Sequence, residues 1–492
     1  MDQLKELLEK KWEEIDRSAI ELLQRLIRTD TQNFVDEGTE MEAVRILQKV
    51  FDEAGVSYKV IESRPGRGNI VARIKGKDAG QGALLLNAHL DTVRAPKTNW
   101  REEGWKHDPF AAEIDEEDGC LYGRGAVDMK HMVAMSVTIM CYVAGLGIEL
   151  SRDLVFAGVA DEERSDSAWG AKYLVKNHPD LVEADIVLSE LGGISLHLDA
   201  KEVFPVQIAE KGSAALRITA HGPGGHGSVV HKDNPVSLVG GIAHKLATTR
   251  LPLRVNDANK ATIEGLASTL PYHKSLFFRW LLSPSVSSYL LSMLPEEQSR
   301  TLGAILSNIA TPTAIGGGEQ FNQVPTTAWL HVDGRTLPGC TSVELIEDIK
   351  HLVGPELFDS KPDAGGHTTT PAVTIEVLRE RPSYCEDLDN PTCRHALDVM
   401  RRVIAARAEG APIVPNLLPG ATDLVQYSEH PHKKPVCIGF SPIRFPKGLN
   451  MSALFHGVNE RIPVEGFKWG LRVLFDVVLE LCSAKAASLV TK

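Results

Sequence analysis

Apolar residues recur along the chain with two different periods. Residues 2–28 place leucine, isoleucine and tryptophan about 3.6 positions apart, which predicts an amphipathic helix, and residues 41–54 repeat the pattern. Short apolar runs then alternate with helical segments predicted at about 129–144 and 167–176; the runs are NIVARIKG, GALLLNAHLD, DLVFAGVADEE and ADIVLSE. Short buried strands separated by helices predict an α/β domain with a mixed, largely parallel sheet.

The pattern changes at about residue 213, which indicates a second domain. SAALRITAHG alternates as a half-exposed strand, and TTAWLHVDGRTLP and AVTIEVLRER predict further strands around a helix that begins near residue 342. A helix at 393–406, the strand KPVCIGF and a final helix at 465–481 indicate a return to the first domain. We therefore expect a discontinuous first domain made of residues 1–212 and 381–492, with an α+β domain at 213–380 inserted into it.

Residues 251–320 of the expected insert carry little strand signal. They include the apolar stretch SLFFRWLLSPSVSSYLLSML, which Arg279, Pro284 and several serines interrupt. These interruptions argue against a membrane span. We expect a helical insertion instead, either a hairpin packed on the insert or the lining of an apolar substrate pocket.

Charge and cysteine content narrow the function classes. The chain has 53 Lys and Arg against 65 Asp and Glu, a formal net charge of −12, which argues against general binding of nucleic acid or anionic membranes. Seven dispersed cysteines without CxxC pairs indicate free thiols in a reducing compartment and argue against a thiolate zinc site. The charged, helix-periodic first 30 residues predict no secretory signal, so we expect a cytoplasmic protein.

Polar residues follow the apolar runs, where an α/β sheet presents its ligands. NAHLD places His89 and Asp91 two residues apart, on one face of an extended strand, so that the carboxylate could orient the imidazole. GRGAVDMK places Asp128 before a helix. Taken singly, a strand-end histidine with a capping aspartate and a helix N-cap are the more common interpretations.

The remaining strand ends add further donors of the same kind. VADEERSD contributes Glu162 and Glu163, SELGG contributes Glu190, and FHGVNERIP contributes His456. Nitrogen and oxygen donors without thiolates suit zinc, cobalt or manganese, and five or six of them exceed the need of one tetrahedral ion, which favours two bridged ions. A solvated acidic turn is the alternative for the glutamate pair, and we expect Asp161 to cap the following turn.

These motifs occur together in a familiar order. NAHLDTV, GRGAVDMK, ADEE, SELGG, HGPGGHGS, NQVPTTAWLHVDGRTLP, PGATD and FHGVNERIP span about residues 20–475, and in this combination the sequence resembles the M20 metallopeptidase and amidohydrolase family. That family includes aminoacylases, succinyl-diaminopimelate desuccinylases, glutamate carboxypeptidases and dipeptidases. The resemblance implies a zinc-peptidase-like catalytic domain with an inserted lid through which a homodimer forms; a monomer or higher oligomer stays open.

The resemblance also implies residue roles at a centre of two ions, zinc first, with cobalt or manganese possible. The implied metal ligands are His89, Asp128, Glu163, Glu190 and His456. Asp128 would bridge both ions, His89 and Glu190 would complete the first site, and Glu163 and His456 the second. Glu162 matches the general base of the family, and Asp91 matches the partner that orients the first histidine.

The expected lid supplies further residues by the same resemblance. His226 in HGPGGHGS resembles the histidine that stabilises the tetrahedral oxyanion, often across a dimer, with His221 and His231 as nearby alternatives. The residues that resemble the family's substrate-carboxylate binders are Asn322, Arg335 and Gly420. The plainer interpretations are a turn histidine and a surface arginine.

The function implied is a dinuclear metal-dependent hydrolase that cleaves an amide next to a free carboxylate, by attack of a metal-bound hydroxide. An N-acyl-amino acid is the expected substrate, and the apolar insertion suggests a fatty or aromatic acyl group, as in the long-lid N-acyl-amino-acid hydrolases of the family. A carboxypeptidase or dipeptidase is the alternative. A non-catalytic binding protein is a remote third, since every implied ligand and the base are present.

Overall fold

The structure is a computed structural model that describes residues 2–34, 38–164, 167–198, 201–359, 372–449 and 451–483. The chain forms two compact units. The first comprises Met1–Ile208, Glu386–Pro415 and Thr422–Lys492, and the second comprises Ala209–Cys385 and Asn416–Ala421.

Helices occur in both units. The α-helices of the described residues are Asp2–Glu9 (α1), Trp12–Arg28 (α2), Glu40–Ala54 (α3), Lys130–Gly145 (α4), Ala171–Asn177 (α5), Pro179–Val182 (α6), Pro235–Thr248 (α7), Asp257–Thr269 (α8), Tyr272–Trp280 (α9), Pro284–Ser292 (α10), Glu296–Leu306 (α11), Ser342–Val353 (α12), Pro391–Arg407 (α13), Leu424–Ser428 (α14) and Val464–Leu481 (α15). Short 3₁₀ turns lie at Ala79–Gln81, Pro355–Leu357 and Met451–Ala453.

The strands of the described residues are between two and ten residues long. They are Tyr58–Arg64 (β1), Arg67–Ile74 (β2), Ala83–His89 (β3), Ile114–Asp115 (β4), Cys120–Tyr122 (β5), Asp153–Val159 (β6), Ile186–Ser189 (β7), Leu196–Leu198 (β8), Lys201–Glu210 (β9), Gly212–His221 (β10), Gly225–His226 (β11), Ile309–Gly316 (β12), Gln323–Val324 (β13), Thr327–Thr336 (β14), Val373–Arg381 (β15), Tyr384–Cys385 (β16), Ile413–Leu418 (β17), Val436–Gly439 (β18) and Arg461–Pro463 (β19).

A mixed sheet lies at the centre of the first unit, in the order β1-β2-β6-β3-β7-β18-β9. The four strands β6, β3, β7 and β18 pair in parallel, and the strands outside them pair antiparallel. Strands β3, β6 and β7 are buried along their whole length, which explains why their sequences are continuous apolar runs. The predicted α/β class with a mixed sheet is confirmed, with parallel pairing among β6, β3, β7 and β18 and antiparallel pairing of β1, β2 and β9.

The parallel pairing brings the ends of three strands to one edge of the sheet. Strand β3 ends at His89, β6 ends two residues before Asp161, and β7 ends one residue before Glu190. Because parallel strands present their carboxyl ends on the same side, the polar residues that follow them must converge there. This is the edge at which the sequence predicts a metal site.

The prediction of a single helix over residues 2–28 is wrong, because two helices, α1 and α2, form there. The chain turns between α1 and α2, where the Lys11 amide donates to the Leu8 carbonyl at 2.8 Å in place of the α-helical partner one residue earlier. After the turn Trp12 is buried, with its ring 5.6 Å from that of Phe475 in an edge-on contact. Burial of this side chain against α15 is a tertiary contact, and the periodicity of the segment does not encode it.

A four-stranded antiparallel sheet, in the order β12-β14-β10-β15, forms the frame of the second unit. Alternate residues of β10 are buried, as predicted for SAALRITAHG. The buried residues pack with those of α7 and α12, among them Ile242 and Ile349, in one core. A two-stranded ribbon of β11 and β13 lies outside this sheet.

The expected helical insertion over 251–320 is corrected in its extent. The apolar stretch forms the two helices α9 and α10, α8 and α11 flank them in sequence, and the helical part ends at Leu306, after which residues 309–316 form β12. Pro271, Pro284 and Pro295 stand at the starts of α9, α10 and α11, where a proline fits the first turn but cannot continue a preceding helix. Across the described ranges, no helix has both the length and the apolarity that a membrane crossing needs.

Candidate metal centre

His89 and Asp128 are in contact at the carboxyl edge of the central sheet. His89 Nε2 lies 3.0 Å from Asp128 Oδ1, and both side chains are buried. His89 Nδ1 lies 3.0 Å from the backbone oxygen of Asp91 and 3.6 Å from its carboxylate. Since a carbonyl oxygen can only accept, Nδ1 carries a proton and Nε2 is the ring atom that faces the neighbouring carboxylates. The carbonyl of Asp91, more closely than its carboxylate, thus orients the ring.

A second imidazole contacts the other oxygen of the same carboxylate. His456 Nε2 lies 3.1 Å from Asp128 Oδ2 and 3.0 Å from Glu163 Oε2. On the opposite side, Glu190 Oε2 lies 3.8 Å from His89 Nε2. All five residues that the resemblance implies as ligands therefore meet, with one carboxylate between two histidines. Two groups of nitrogen and oxygen donors that share a carboxylate fit a pair of divalent ions.

The adjacent glutamates approach the same place. Ligand atoms of His89, Glu162 and Glu190 lie within 4.8 Å of one another, and so do those of His89, Asp128 and Glu163. Both carboxylates are thus near the donors, and the distances alone do not assign different roles to the two.

Asp91 fixes the position of the two glutamates. Its Oδ1 accepts a hydrogen bond from the Glu162 amide at 3.1 Å, and its Oδ2 accepts one from the Glu163 amide at 3.0 Å. The side-chain amide of Asn33 also donates to Oδ2, at 2.7 Å. One aspartate therefore holds the histidine through its carbonyl and the glutamate pair through its carboxylate.

Asp161 has a supporting role. It adopts a left-handed backbone conformation, with φ of 61°, and its buried carboxylate accepts from the amides of Ala168 at 3.0 Å and Trp169 at 3.2 Å. The prediction that it caps the following turn is confirmed. Because residues 167–170 form this turn, α5 begins at Ala171, later than the helix start predicted near residue 167.

A buried polar network behind Asp91 was missed from the sequence. Arg67 donates to Asn33 Oδ1 at 2.8 Å and to Glu40 Oε1 at 2.5 Å, and Arg67 and Glu40 are almost fully buried. Burial, together with the charge of Asp91, raises the pKa of Glu40 to about 7, and the guanidinium opposes this shift. No periodicity marks these residues, because they form contacts between distant segments.

Glu460 was also missed from the sequence, although it lies in the quoted motif FHGVNERIP. Its buried carboxylate accepts from the amides of Gly125 at 3.0 Å, Val127 at 2.8 Å and Asp128 at 3.1 Å, and from Arg124 Nη1 at 2.8 Å. The loop that carries the shared aspartate is therefore fastened to the motif that carries the second histidine. The strand that follows Glu460 is only Arg461–Pro463, so no apolar run marked this residue in the sequence.

The electrostatics of the cluster favour bound cations. Burial raises the pKa of Glu163 to about 7, and the charge of Asp128 adds to the effect. Burial and the charges of Glu162 and Asp128 raise the pKa of Glu190 well above its usual value. Hydrogen bonds to Asp128 and Glu163 raise the pKa of His456 to about 10. Protons thus balance the crowded carboxylates in the metal-free protein, and divalent ions can replace them.

The residues expected in the lid belong to the second unit. Strand β11 pairs His226 with Gln323 of β13, and the Gly227 amide donates to the Asn322 carbonyl at 2.7 Å, so the ribbon joins two of the quoted motifs. The Ser228 amide donates to His226 Nδ1 at 3.2 Å, so Nδ1 is an acceptor and Nε2 is the nitrogen of this exposed ring that carries a proton.

The other expected residues of this unit have separate surroundings. Arg335 lies on β14, with its Nε 3.0 Å from Asp333 Oδ1. His221 Nε2 lies 3.0 Å from Thr374 Oγ1, and His231 Nε2 lies 3.0 Å from the carbonyl oxygen of the ribbon histidine. Gly420 lies in the segment Asn416–Ala421 of the same unit.

A mixed α/β sheet that gathers histidines and carboxylates at the carboxyl edge of its parallel strands provides the ligands that a metal-dependent hydrolase needs. The chain belongs to peptidase family M20/M25/M40, whose family model matches residues 85–480. The family resemblance found in the sequence is confirmed, and the chain is a metal-dependent hydrolase of amide bonds.

Two relatives and one solved structure show what this chain is similar to within the family. N-fatty-acyl-amino acid synthase/hydrolase PM20D1 of Xenopus tropicalis is 25% identical over 464 residues, which cover 92% of this chain and 83% of the relative. A probable succinyl-diaminopimelate desuccinylase of Staphylococcus aureus is 25% identical over 326 residues, covering 66% and 70%. The solved M20 family metallo-carboxypeptidase Sso-CP2 of Sulfolobus solfataricus has a TM-score of 0.63 at 16% identity, covering 94% and 99%. The structural likeness shows the shared fold.

Proposed function

We propose that the chain hydrolyses N-acyl-amino acids at a centre of two divalent ions. The observation that carries this proposal is the contact of His89 and His456 with opposite oxygens of Asp128, at 3.0 and 3.1 Å. Similarity to an N-fatty-acyl-amino acid hydrolase over 92% of the chain supports the substrate class.

The five clustered side chains divide into two ligand groups around the shared aspartate. His89 and Glu190 lie on one side of Asp128, and Glu163 and His456 on the other. Zinc fits these donors best, and cobalt or manganese are the other candidates. Bound ions supply Lewis acidity, which makes a water molecule a nucleophile at neutral pH and polarises the scissile carbonyl.

Glu162 is the proposed general base. Its amide is fixed by Asp91, and its carboxylate lies beside His89 and Glu190. In this role it takes a proton from the attacking water and delivers it to the amine nitrogen as the C–N bond breaks, leaving a carboxylic acid and a free amino acid. A carboxylate that moves the proton must not be fully engaged as a metal ligand, which is why we assign the two glutamates different tasks.

The second unit is proposed to recognise the substrate, with residues 213–380 as a lid. The fixed tautomer of His226 presents Nε2–H as a donor for the oxyanion that forms on the carbonyl. Arg335, Asn322 and a backbone contact at Gly420 are proposed to bind the free carboxylate of the substrate, for which a guanidinium provides a two-pronged donor. The homodimer and the cytoplasmic location expected from the sequence remain predictions.

A carboxypeptidase or dipeptidase is the second candidate, favoured by the description of the matching family as peptidases. Such substrates also contain an amide next to a free carboxylate, so the same donors would serve them. The two functions differ in the group on the far side of the amide, an acyl chain in one case and an amino-acid residue in the other.

A substrate panel on zinc-, cobalt- and manganese-loaded protein tests the proposal. It contains N-acyl-phenylalanines from acetyl to palmitoyl, the corresponding carboxamides, and dipeptides with C-terminal phenylalanine. We expect kcat/KM to be highest for a long-chain N-acyl-amino acid and to fall for the carboxamide, since the free carboxylate is the recognised group. A higher kcat/KM for the dipeptides would establish the second candidate instead.

A further inference from the structure

Two helices of the second unit, α9 and α10, carry an exposed apolar surface. Five large side chains at 272–293 are at least 39% exposed to solvent, and they are Tyr272, Trp280, Val286, Tyr289 and Met293. Single exposed apolar residues are ordinary on a protein surface, whereas five large ones within 22 consecutive positions are a concentration that asks for an explanation.

Helix α10 is apolar on two sides. Leu290 and Leu291 are buried in the small core of the four-helix segment. Val286, Tyr289 and Met293 follow one another at spacings of three and four residues, which places them along one line on the helix, and all three are exposed. The sequence of α10, PSVSSYLLS, contains no charged residue. Surface helices normally turn a polar face to water, so the exposed side of α10 is built for a less polar neighbour.

The segment that carries these side chains has basic residues and no acidic ones. Residues 265–295 contain no aspartate or glutamate, although the whole chain has a formal net charge of −12. Lys274 and Arg279 lie in α9, on exposed positions, between Tyr272 and Trp280. Tryptophan, tyrosine and basic residues without acidic ones are the composition of segments that lie in the headgroup region of a bilayer, where aromatic rings enter the interface and cations meet lipid phosphates.

We propose that the exposed side of α9 and α10 docks on the interfacial region of a phospholipid bilayer. Trp280, Tyr289 and Met293 would enter the headgroup layer, and Arg279 would contact lipid phosphates. This is peripheral association of a local surface and requires neither a membrane span nor a net positive protein. The inference is independent of the metal centre, so it can fail while the proposed hydrolysis stands, and the reverse also holds.

Vesicle co-sedimentation of the full-length, metal-loaded protein tests the docking surface. The probe is phosphatidylcholine vesicles containing about one-fifth phosphatidylserine, without substrate. We expect the wild type to bind and the triple variant Trp280→Ser, Tyr289→Ser, Met293→Ser to bind at least about tenfold more weakly, because its apolar contact is removed. A matched control, Val343→Ser with Leu378→Ser, removes two exposed apolar side chains elsewhere in the same unit and should bind like the wild type.

Tryptophan quenching by vesicles of brominated phosphatidylcholine provides a second readout that uses a conservative variant. The quenched fraction of the emission should fall in Trp280→Phe, since the ring at that position reports insertion. Absence of vesicle binding by the wild type, or equal binding by the wild type and the triple variant, would overturn the proposal. A wild-type dimer that the triple variant dissociates, with no vesicle binding by either, would show that the surface joins two copies of the chain instead.

Discussion

Glu162 and Glu163 have neighbouring backbone amides bound by the two oxygens of one aspartate, Asp91, at 3.1 and 3.0 Å. The two glutamates follow β6 and the left-handed residue Asp161, and the hydrogen bonds to both amides hold their carboxylates beside different neighbours. The carboxylate of Glu163 lies 3.0 Å from His456 Nε2. The carboxylate of Glu162 lies within 4.8 Å of ligand atoms of His89 and Glu190. Adjacent residues with the same chemistry can therefore serve as a ligand and as a base.

Conservative substitutions separate these two roles. Glu162→Gln should retain both ions and lower kcat by at least about 10²-fold, since an amide cannot take the proton of the water. Glu163→Gln should lose affinity for one ion, since a neutral amide is a weaker ligand than a carboxylate. Metal content by mass spectrometry, measured beside steady-state rates, checks both. Loss of metal in Glu162→Gln with full occupancy in Glu163→Gln would reverse the assignment.

Protonation of the metal-free centre should make stability depend on pH. The pKa of His456 rises from 6.5 to about 10 in the folded protein. Its contribution to the free energy of unfolding is therefore complete below pH 6.5 and is lost as the pH rises through about 10. The pKa of Glu163 rises from 4.5 to about 7, so its contribution is likewise lost as the pH rises through 7. We therefore expect the Tm of chelator-treated protein to fall from weakly acidic to alkaline pH.

Thermal unfolding of two histidine variants measures this dependence. His456→Gln should reduce the fall in Tm between neutral and alkaline pH, and His432→Gln, an exposed control in the same unit, should leave it unchanged. Added zinc should restore the alkaline Tm of the wild type, because the ions bind the folded state and replace the protons. If the chelator-treated protein has the same Tm at alkaline pH as at weakly acidic pH, protonation of the centre does not stabilise the metal-free fold.

At the scale of elements, the site depends on how strands and loops are fastened together. Parallel strands β3, β6 and β7 supply one edge, and the loop before α4 brings Asp128 to it. That loop has little regular structure of its own, and the buried carboxylate of Glu460, next to β19, accepts hydrogen bonds from three of its amides. Segments more than 300 residues apart in sequence thus form one support.

Substitution of this support should weaken metal binding without unfolding the protein. Glu460→Gln keeps the shape of the side chain but turns one acceptor oxygen into an NH₂ group that faces N–H donors. We expect zinc affinity to fall by about 10- to 100-fold, as is typical when a partner behind the ligands is lost. Isothermal titration of the apo-protein measures this. Glu465→Gln, an exposed change whose partner is Lys468, is the control, and equal affinities for both variants would contradict the supporting role.

At the scale of the molecule, the sequence predicts those elements whose burial leaves a regular pattern of apolar residues. Continuous apolar runs that end in His89, the DEE triplet and Glu190 predict parallel strands, and parallel strands oblige their ends to meet at one edge. Alternation in β10 likewise predicts a half-buried antiparallel strand, as the structure has it. These inferences succeed because burial on two faces or on one face leaves a distinct pattern in the residues themselves.

The parts that could not be predicted depend on contacts between distant segments. Asn33 donates a hydrogen bond to Asp91, 58 residues away in the sequence, and neither segment has a residue pattern that predicts this contact. The break between α1 and α2 accompanies burial of Trp12 against Phe475, at the other end of the chain. Prolines mark the starts of α9, α10 and α11. The apolar composition of this segment, by itself, does not predict how many helices it forms.

Anomalous diffraction from crystals of the zinc-loaded protein tests the central claim most directly. Data collected on both sides of the zinc absorption edge should show two peaks about 3.5–4 Å apart, with Asp128 between them. One peak should adjoin His89 and Glu190, and the other Glu163 and His456. A single zinc peak, or a pair that Asp128 does not bridge, would contradict a dinuclear centre built on the shared aspartate.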